Sequence, residues 1–193
     1  MTARSKLDRH LRTGKAYRRK DLARHTTAVD RHLRELLAEG RLEKVSRGLY
    51  MVPRETRFGK APADTETLVE SFLGDDRFLV VSPNAYNGLG VGTTQLYNEP
   101  VVYNHKRHGR FRLGGRMFDF RVRPSVPRKL TEEVLLVDLL HNVDRLAENR
   151  TAVVNRALAR ARTMDPGRLG RAVRDFGSVR AQRMLAPVLH PGD

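Results

Sequence analysis

The feature that most constrains the fold is a helix-like segment, residues 26–40 (TTAVDRHLRELLAEG), followed at once by RLEKVSRGLYMVP, residues 41–53. Apolar residues at i, i+4, i+7 and i+8 predict a single apolar stripe along one helix. These positions are Val29, Leu33, Leu36 and Leu37. We expect Thr26 or Thr27 to cap the start of the helix. Gly40 should end it, because a glycine just past the last helical residue readily adopts the left-handed conformation.

Two short strands are predicted after this helix, over residues 42–45 and 49–52. The residues between them, 46–48, include a glycine suited to a three-residue hairpin turn. Two shorter helices are predicted upstream, one that ends near Thr13-Gly14 and one over residues 19–24. Three helices followed by a basic hairpin are the elements of a winged helix-turn-helix, in which the third helix enters the DNA major groove and the wing touches the backbone.

The net charge is the second strong signal. The chain has 37 Lys and Arg against 22 Asp and Glu, a formal charge of +15. The excess is uneven, with +10 over residues 1–60, −5 over residues 61–103 and +10 over residues 104–193. Such an excess favours a polyanionic partner, because contacts with phosphates release counterions. The alternative is a high arginine content spread over all surfaces.

Composition excludes several classes of protein. The chain has no cysteine, so disulfides, zinc fingers and cysteine nucleophiles are excluded. No apolar run approaches the roughly 20 residues of a membrane span, and the N-terminus lacks the apolar stretch of a signal peptide. Paired carboxylates, a serine–histidine pair and a metal-binding cluster are also missing at recognisable spacing. We therefore expect a cytoplasmic protein that is not an enzyme, with no cofactor and no metal.

The winged-helix model predicts which side chains meet DNA. The face of the third helix opposite its apolar stripe should read bases, since arginine pairs with guanine and threonine contacts a thymine methyl or a phosphate. Its members are Thr27, Asp30, Arg31 and Arg34. Asp30 could accept a hydrogen bond from cytosine. Because it repels phosphates, we expect it instead to orient Arg31 or Arg34. Phosphate contacts are expected from Arg18, Arg19, Lys20, Thr26, Lys44, Ser46 and Arg47. The alternative is that all of these are ordinary solvated charges.

Three blocks of sequence carry a family resemblance. They are residues 14–53 (from GKAYRRKDLARH to RGLYMVP), SPNAYNGLGVGTTQLYNEPVVYNHKRHGRFRLGGRMFDFR and KLTEEVLLVDLL. From about Gly14 to Leu140 the chain resembles the AbiEi-type antitoxins of bacterial type IV toxin–antitoxin systems, among their short members. The middle block is the more specific, because many winged helices end in a basic hairpin.

The resemblance implies a DNA-binding transcriptional autorepressor. Its second domain would supply antitoxin activity against a nucleotidyltransferase-like toxin. In that family the recognition helix and wing bind double-stranded operator DNA, which here maps onto Thr27, Arg31, Arg34 and Arg47. We expect a monomer that binds repeated sites.

The predicted fold class is α+β, with the winged helix in residues 1–57 and an antitoxin-like domain in residues 58–193. The stretch ETRFGKAPAD, residues 55–64, reads as a linker. After it come a helix over residues 66–73, a strand over 78–81, a helix opened by Ser82-Pro83, a turn at residues 93–95 and a strand over 100–103. Helices near residues 131–143, 151–162, 166–176 and 178–189 should form a C-terminal bundle.

A second cluster of basic residues lies between the predicted strand 100–103 and the C-terminal helices, in NHKRHGRFRLGGRMFDFRVR, residues 104–123. Arginines alternate with apolar residues on both sides of Gly114-Gly115, which predicts a hairpin with one buried face and one face of arginines. The exposed set is expected to include Arg110, Arg112, Arg116, Arg121 and Arg123, with His105, Lys106, Arg107 and His108 at its entrance. This face is either a second nucleic-acid or partner surface or simply a solvated sheet face.

Two other functions remain open beside the DNA-binding regulator. An RNA-binding module would use the tyrosines and phenylalanines to stack bases, although most of these look like core residues. The other is an enzyme that acts on nucleic acid or nucleotides, or an accessory to such an enzyme. Competition between duplex DNA and structured RNA at one salt concentration distinguishes the RNA-binding module from a DNA-binding regulator. Metal-dependent turnover of nucleic acid would indicate the second.

Overall fold

The computed structural model describes residues 3–93 and 98–190. The fold class is α+β, with helices at both ends of the chain and small sheets between them. The chain divides into two compact units. The first contains the described residues up to Asp76 together with Phe111–Met117, and the second contains Arg77–Arg110 and the residues from Phe118 onward. The first unit thus extends beyond residue 57, where the sequence suggested a boundary.

The first unit begins with the elements of a winged helix-turn-helix. In chain order they are α1 (Ala3–His10), β1 (Ala16–Arg18), α2 (Arg19–Leu22), α3 (Val29–Ala38), β2 (Glu43–Ser46) and β3 (Leu49–Met51). The three strands form an antiparallel sheet in the order β1-β3-β2. The predicted helices and hairpin are confirmed, although α1 ends three residues before Thr13. Strand β1 was not predicted.

One cluster of buried leucines and a valine holds the three helices together. Its members are Leu7, Leu22, Val29, Leu33, Leu36 and Leu42. The reversal after α3 occurs at Gly40, whose φ of +70° lies in the left-handed region. There the backbone N–H groups of Arg41 and Leu42 donate to the Leu36 carbonyl at 3.0 and 3.1 Å. The glycine that the sequence marked as the end of the helix therefore has that role.

Two local predictions in this unit were wrong. The residue that caps the start of α3 is Ala28, which supplies no side-chain hydrogen bond, so neither threonine caps the helix. The expected linker contains a second hairpin, β4 (Arg54–Thr56) and β5 (Gly59–Ala61). The Thr56 hydroxyl donates to the Gly59 carbonyl at 2.6 Å and holds its turn. Helix α4 (Thr65–Leu73) follows, with Asp64 as its cap.

The remaining strands form a four-stranded sheet in the order β6-β7-β9-β8. They are β6 (Phe78–Val81), β7 (Val101–Asn104), β8 (Gly109–Leu113) and β9 (Arg116–Val122). Strand β6 runs antiparallel to β7, and β7 runs parallel to β9. A 3₁₀ helix, Pro83–Leu89, follows β6. The predicted turn falls partly on residues 94 and 95, which lie outside the described residues.

The C-terminal bundle contains α5 (Glu132–Asn142), α6 (Arg150–Ala161), α7 (Pro166–Phe176) and α8 (Val179–Leu189). Helix α5 is buried along most of its length and packs against the other three. Each helix begins at a residue whose side chain accepts a backbone N–H, as Thr131 does for α5. Within the described ranges, every helix is too short or too polar to span a lipid bilayer.

Candidate nucleic-acid interface

Arg19, the first residue of α2, joins three parts of the winged helix. Its backbone N–H donates to the carbonyl of Gly48 in the wing turn at 2.8 Å. Its Nε donates to Oδ1 of Asp30, in the first turn of α3, at 2.7 Å, and its Nη2 donates to Oδ2 of the same carboxylate. These bonds lower the pKa of Asp30 below its ordinary value. The start of α2, the start of α3 and the wing turn are therefore held together.

The predicted base-reading residues share one face of α3. Thr27, Asp30, Arg31 and Arg34 are all exposed, while Val29 and Leu33 are buried on the other side. The carboxylate of Asp30 bonds Arg19, a partner that the sequence did not predict, and the charge of Arg34 also contributes to lowering the pKa of Asp30. Arg31 lies 3.9 Å from Glu35. Arg34 reaches the backbone carbonyl of Asp30 at 3.4 Å.

Thr26 is not placed to contact phosphate, because its side chain is buried. Its hydroxyl accepts the backbone N–H of Ala28 at 3.2 Å and lies 2.9 Å from Nδ1 of His32, which is also buried. This short network braces the loop before α3. The threonine therefore has a structural role where the sequence suggested a phosphate contact.

The side chain of Arg18 is bound to residues outside α3. Its Nε donates to Asp21 at 2.6 Å. Its guanidinium lies against Gly74 so closely that a Cβ there would come within 1.6 Å of Nη1. The surrounding cleft is acidic, with Glu70 and Asp76 among its residues. Among the proposed phosphate contacts, the exposed ones are Arg19, Lys20, Lys44 and Arg47, and Ser46 is half-buried.

The second basic surface is less open than its sequence suggested. Arg110 forms a two-point pair with Glu99, at 2.6 Å from Nε. Arg112 and Arg116 donate to the carbonyls of Gly115 and Ala63 at 3.3 and 3.0 Å. The exposed loop with His105, Lys106 and Arg107 is shaped by Asn104, whose side-chain oxygen accepts two of its backbone N–H groups.

Arg121 and Arg123 do not belong to the exposed face that the alternation predicted. The side chain of Arg121 is only 11% exposed and pairs with Asp119 at 2.7 Å. The guanidinium of Arg123 lies 5.5 Å from the ring centres of both Tyr103 and Phe176. The alternation of β9 persists, with Phe118 and Phe120 buried, but Arg121 on the opposite face is covered because Asn142 of α5 bonds to it.

A buried polar network in the second unit was missed by the sequence analysis. Asp138 of α5 is fully buried and accepts hydrogen bonds from the hydroxyls of Tyr86, at 2.5 Å, and Tyr103. The side-chain amide of Asn142 donates to the same carboxylate at 3.0 Å. Burial raises the pKa of Asp138. The signal in the sequence was an aspartate inside the otherwise apolar run VLLVDLL.

Comparison with known proteins gives a similarity of fold alone. No protein-family model matches the chain. No curated protein matches it either. Among solved structures, the chain is similar to the RV2827C protein from Mycobacterium tuberculosis, with a TM-score of 0.57 and 17% sequence identity. The match covers 96% of this chain and 74% of that protein.

Proposed function

We propose that this protein is a transcriptional regulator that binds double-stranded DNA in a sequence-specific manner. The observation that supports the proposal best is the assembly around Arg19, which holds the wing turn beside the start of α3. A helix that presents Thr27, Arg31 and Arg34 next to a wing that presents Arg47 is arranged for one major-groove contact flanked by a backbone contact.

Charge supports the same proposal. The first 60 residues carry a net +10, and the exposed cations of α2 and the wing add phosphate contacts around the recognition helix. Such contacts give affinity without sequence preference, whereas the side chains of α3 supply the base reading. The two kinds of contact therefore fall on different elements of the first unit.

We further propose that the regulator is the antitoxin of a type IV toxin–antitoxin system and represses its own operon in the cytoplasm. Support for this part is the resemblance of residues 14–140 to AbiEi-type antitoxins. On this proposal the second unit counters a nucleotidyltransferase-like toxin. A gene for such an enzyme beside the gene for this protein would be the first observation to look for.

The DNA-binding proposal is tested by gel retardation of the fragment upstream of the gene. Binding should be tighter than to unrelated DNA of the same length, and affinity should fall steeply between 50 and 200 mM salt, by roughly 10³-fold or more for about six phosphate contacts. Structured RNA serves as the competitor at fixed salt. Equal affinity for all duplexes would exclude specific regulation, and preference for RNA would indicate an RNA-binding module.

A further inference from the structure

The second unit contains a cavity of about 380 Å³ that the DNA-binding proposal does not use. Its polar lining combines three guanidinium groups with two carboxylates and two other hydrogen-bonding side chains: Tyr86, Glu99, Arg110, Asp119, Arg121, Asn142 and Arg145. Another part of the wall is apolar and consists of Pro83, Val101 and Leu146. A few converging polar groups beside an apolar wall, in a cavity of this size, are typical of a small-molecule site.

The buried network lies directly behind this cavity. Asp138 holds Tyr86 and Asn142, and both of these residues reach the cavity wall. The Asn142 side-chain oxygen in turn accepts a hydrogen bond from Arg121 at 2.5 Å. A fully buried carboxylate is costly and adds little net stability even when it is paired. Here its effect is to fix the orientation of the polar groups that line the cavity.

The three arginines differ in how firmly they are held. Arg121 is fixed by Asp119, Asn142 and the Tyr103 hydroxyl. The side chains of Arg110 and Arg145 are 66% and 64% exposed. Each is paired with one carboxylate, Arg110 with Glu99 and Arg145 with Asp119 at 3.3 Å. Because a guanidinium has five N–H donors, both keep donors for a second anion.

The charge of the cavity favours an anion. Among the lining residues, three guanidinium groups face two carboxylates, Glu99 and Asp119, so the lining carries a net positive charge. Burial raises the pKa of Asp138 behind the wall, which favours its neutral form. The field extends to the end of α5, where the pKa of His141 is lowered to about 4 by burial and then by the positive charges of Arg123, Arg121, Arg145 and Arg180. A phosphate presents pairs of acceptor oxygens that the planar fork of an arginine can bond at two points.

We propose that this cavity binds a phosphate-bearing ligand of nucleotide size. The phosphate contacts Arg110 and Arg145, and a ring packs on the apolar wall. The carboxylates of Glu99 and Asp119 accept hydrogen bonds from hydroxyl or amino groups of the ligand. This chemistry has two sources, a free mononucleotide or the 5′-terminal nucleotide of a nucleic-acid strand.

Binding is measured by calorimetry on the full chain with AMP, GMP, CMP and UMP, and with adenosine and inorganic phosphate as fragments. At least one monophosphate should bind more tightly than either fragment, because it reaches both the arginines and the apolar wall. Single-stranded pentanucleotides with a 5′-phosphate or a 5′-hydroxyl distinguish the sources. Preference for the phosphorylated strand over the monophosphates identifies a strand end, and the reverse identifies a free nucleotide.

Variants place the binding in the cavity. Arg145→Gln and Arg110→Gln should each weaken binding by roughly tenfold, the equivalent of about 1.4 kcal/mol. Arg183→Gln makes the same change of charge at an exposed residue of α8 that does not line the cavity. It should leave the affinity for the nucleotide within about twofold of that of the unaltered protein. The proposal is overturned if no monophosphate or strand binds at millimolar concentration. It is also overturned if Arg183→Gln weakens binding as much as the cavity variants do.

The outcome is separable from that of the DNA-binding proposal. Arg34→Ala, on the recognition helix, should leave nucleotide affinity unchanged. Unfolding temperatures of all variants, measured without ligand, show whether Arg110→Gln or Arg145→Gln acts through stability. Loss of nucleotide binding together with an unchanged unfolding temperature is the expected result. If both cavity variants bind as the unaltered protein does, the arginine pairs are structural and the proposal fails.

Discussion

Arg19 and Asp30 form a two-point ion pair between the first residue of α2 and the first turn of α3, at 2.7 Å from Nε to Oδ1. The carboxylate stands on the face expected to meet DNA, yet it is neutralised by a neighbouring cation. The ion pair keeps the side chain of Arg19 in one position. The carboxylate also weakens the attraction of Arg19 for a DNA phosphate. Both side chains of the pair are largely exposed, so the ion pair contributes little to the free energy of unfolding.

Replacement of Asp30 by asparagine should therefore strengthen nonspecific DNA binding. The change removes a negative charge and releases Arg19 to a phosphate, so the slope of log affinity against log salt should steepen by about one. Discrimination between operator and unrelated DNA should fall. The control is Asp21→Asn, which releases Arg18 in the acidic cleft and should leave the slope unchanged. An unchanged slope for Asp30→Asn would place the pair away from the DNA.

Base reading and backbone contact should separate on different elements. Arg31→Ala or Arg34→Ala should cost about 1–3 kcal/mol on the operator and relax base preference, because each removes a guanidinium from the recognition helix. Arg47→Ala should weaken binding to all duplexes alike. Affinities for a set of single-base operator variants measure both effects. If Arg47→Ala alone altered preference, the wing would be the reading element.

The same substitution, threonine to valine, should lower the stability of the protein at position 26 and weaken operator binding at position 27. Thr26→Val removes a buried hydroxyl and leaves His32 without its partner, so the free energy of unfolding should fall by about 1–2 kcal/mol. Thr27→Val changes an exposed residue and should leave stability nearly unaltered while it weakens operator binding. Urea unfolding and gel retardation measure the two quantities. Equal losses of stability would contradict the assignment of Thr26 as the structural residue.

Stability should depend on pH through His141. Its pKa is lowered from 6.5 to about 4, first by burial and then by nearby arginines, so the folded protein holds the ring neutral. The unfolded chain takes up a proton below about pH 6.5, and stability is therefore lost as pH falls from there towards 4. Because the ring is only half-buried, the loss should be about 1–2 kcal/mol.

The measurement compares the unaltered protein with His141→Gln between pH 8 and pH 4.5. The variant should lose less stability over this range. Asp138 acts in the opposite direction, because a raised pKa makes stability fall as pH rises, but it is present in both proteins and cancels in the difference. Parallel pH profiles would show that His141 titrates at its ordinary value.

The fold was predicted best where a periodic pattern of apolar residues ended at a glycine suited to a turn. The stripe of α3, the reversal at Gly40 and the turn at Gly114-Gly115 were all found from residue spacing. Strand β1 was missed because three residues are too few to show alternation. The hairpin β4–β5 was read as a linker because all but one of its strand residues are exposed, so no apolar period marked it.

The partners of charged side chains could not be predicted. Spacing placed Asp30 on the face of α3 but could not show that Arg19, eleven residues earlier, would hold it. Arg121 looked like its neighbours in an alternating strand, and only the fold brought Asn142 and Tyr103 to it. Such pairings depend on distances between elements that are far apart in the chain.

The bounds of the first unit give a further prediction. A fragment of residues 1–57 lacks α4, whose Leu68 and Val69 are fully buried and whose Ser71 hydroxyl donates to the Ala16 carbonyl at 3.0 Å. A chain of that length also buries only a small core. We expect residues 1–76 to unfold at a higher temperature than residues 1–57, and to bind operator DNA more tightly. Circular dichroism and gel retardation on both fragments check this.

Antitoxin activity is better tested in the full chain. The double variant Arg31→Ala, Arg34→Ala changes only exposed side chains of α3, so it should remain folded while operator binding is lost. If a nucleotidyltransferase-like toxin is encoded beside the gene, the double variant is co-expressed with it from a promoter that the protein does not control. It should still protect growth, because the proposal places neutralisation in the second unit. Growth protection by the unaltered protein is the reference. If the folded double variant failed to protect, neutralisation would depend on DNA binding, and the assignment of separate functions to the two units would be wrong.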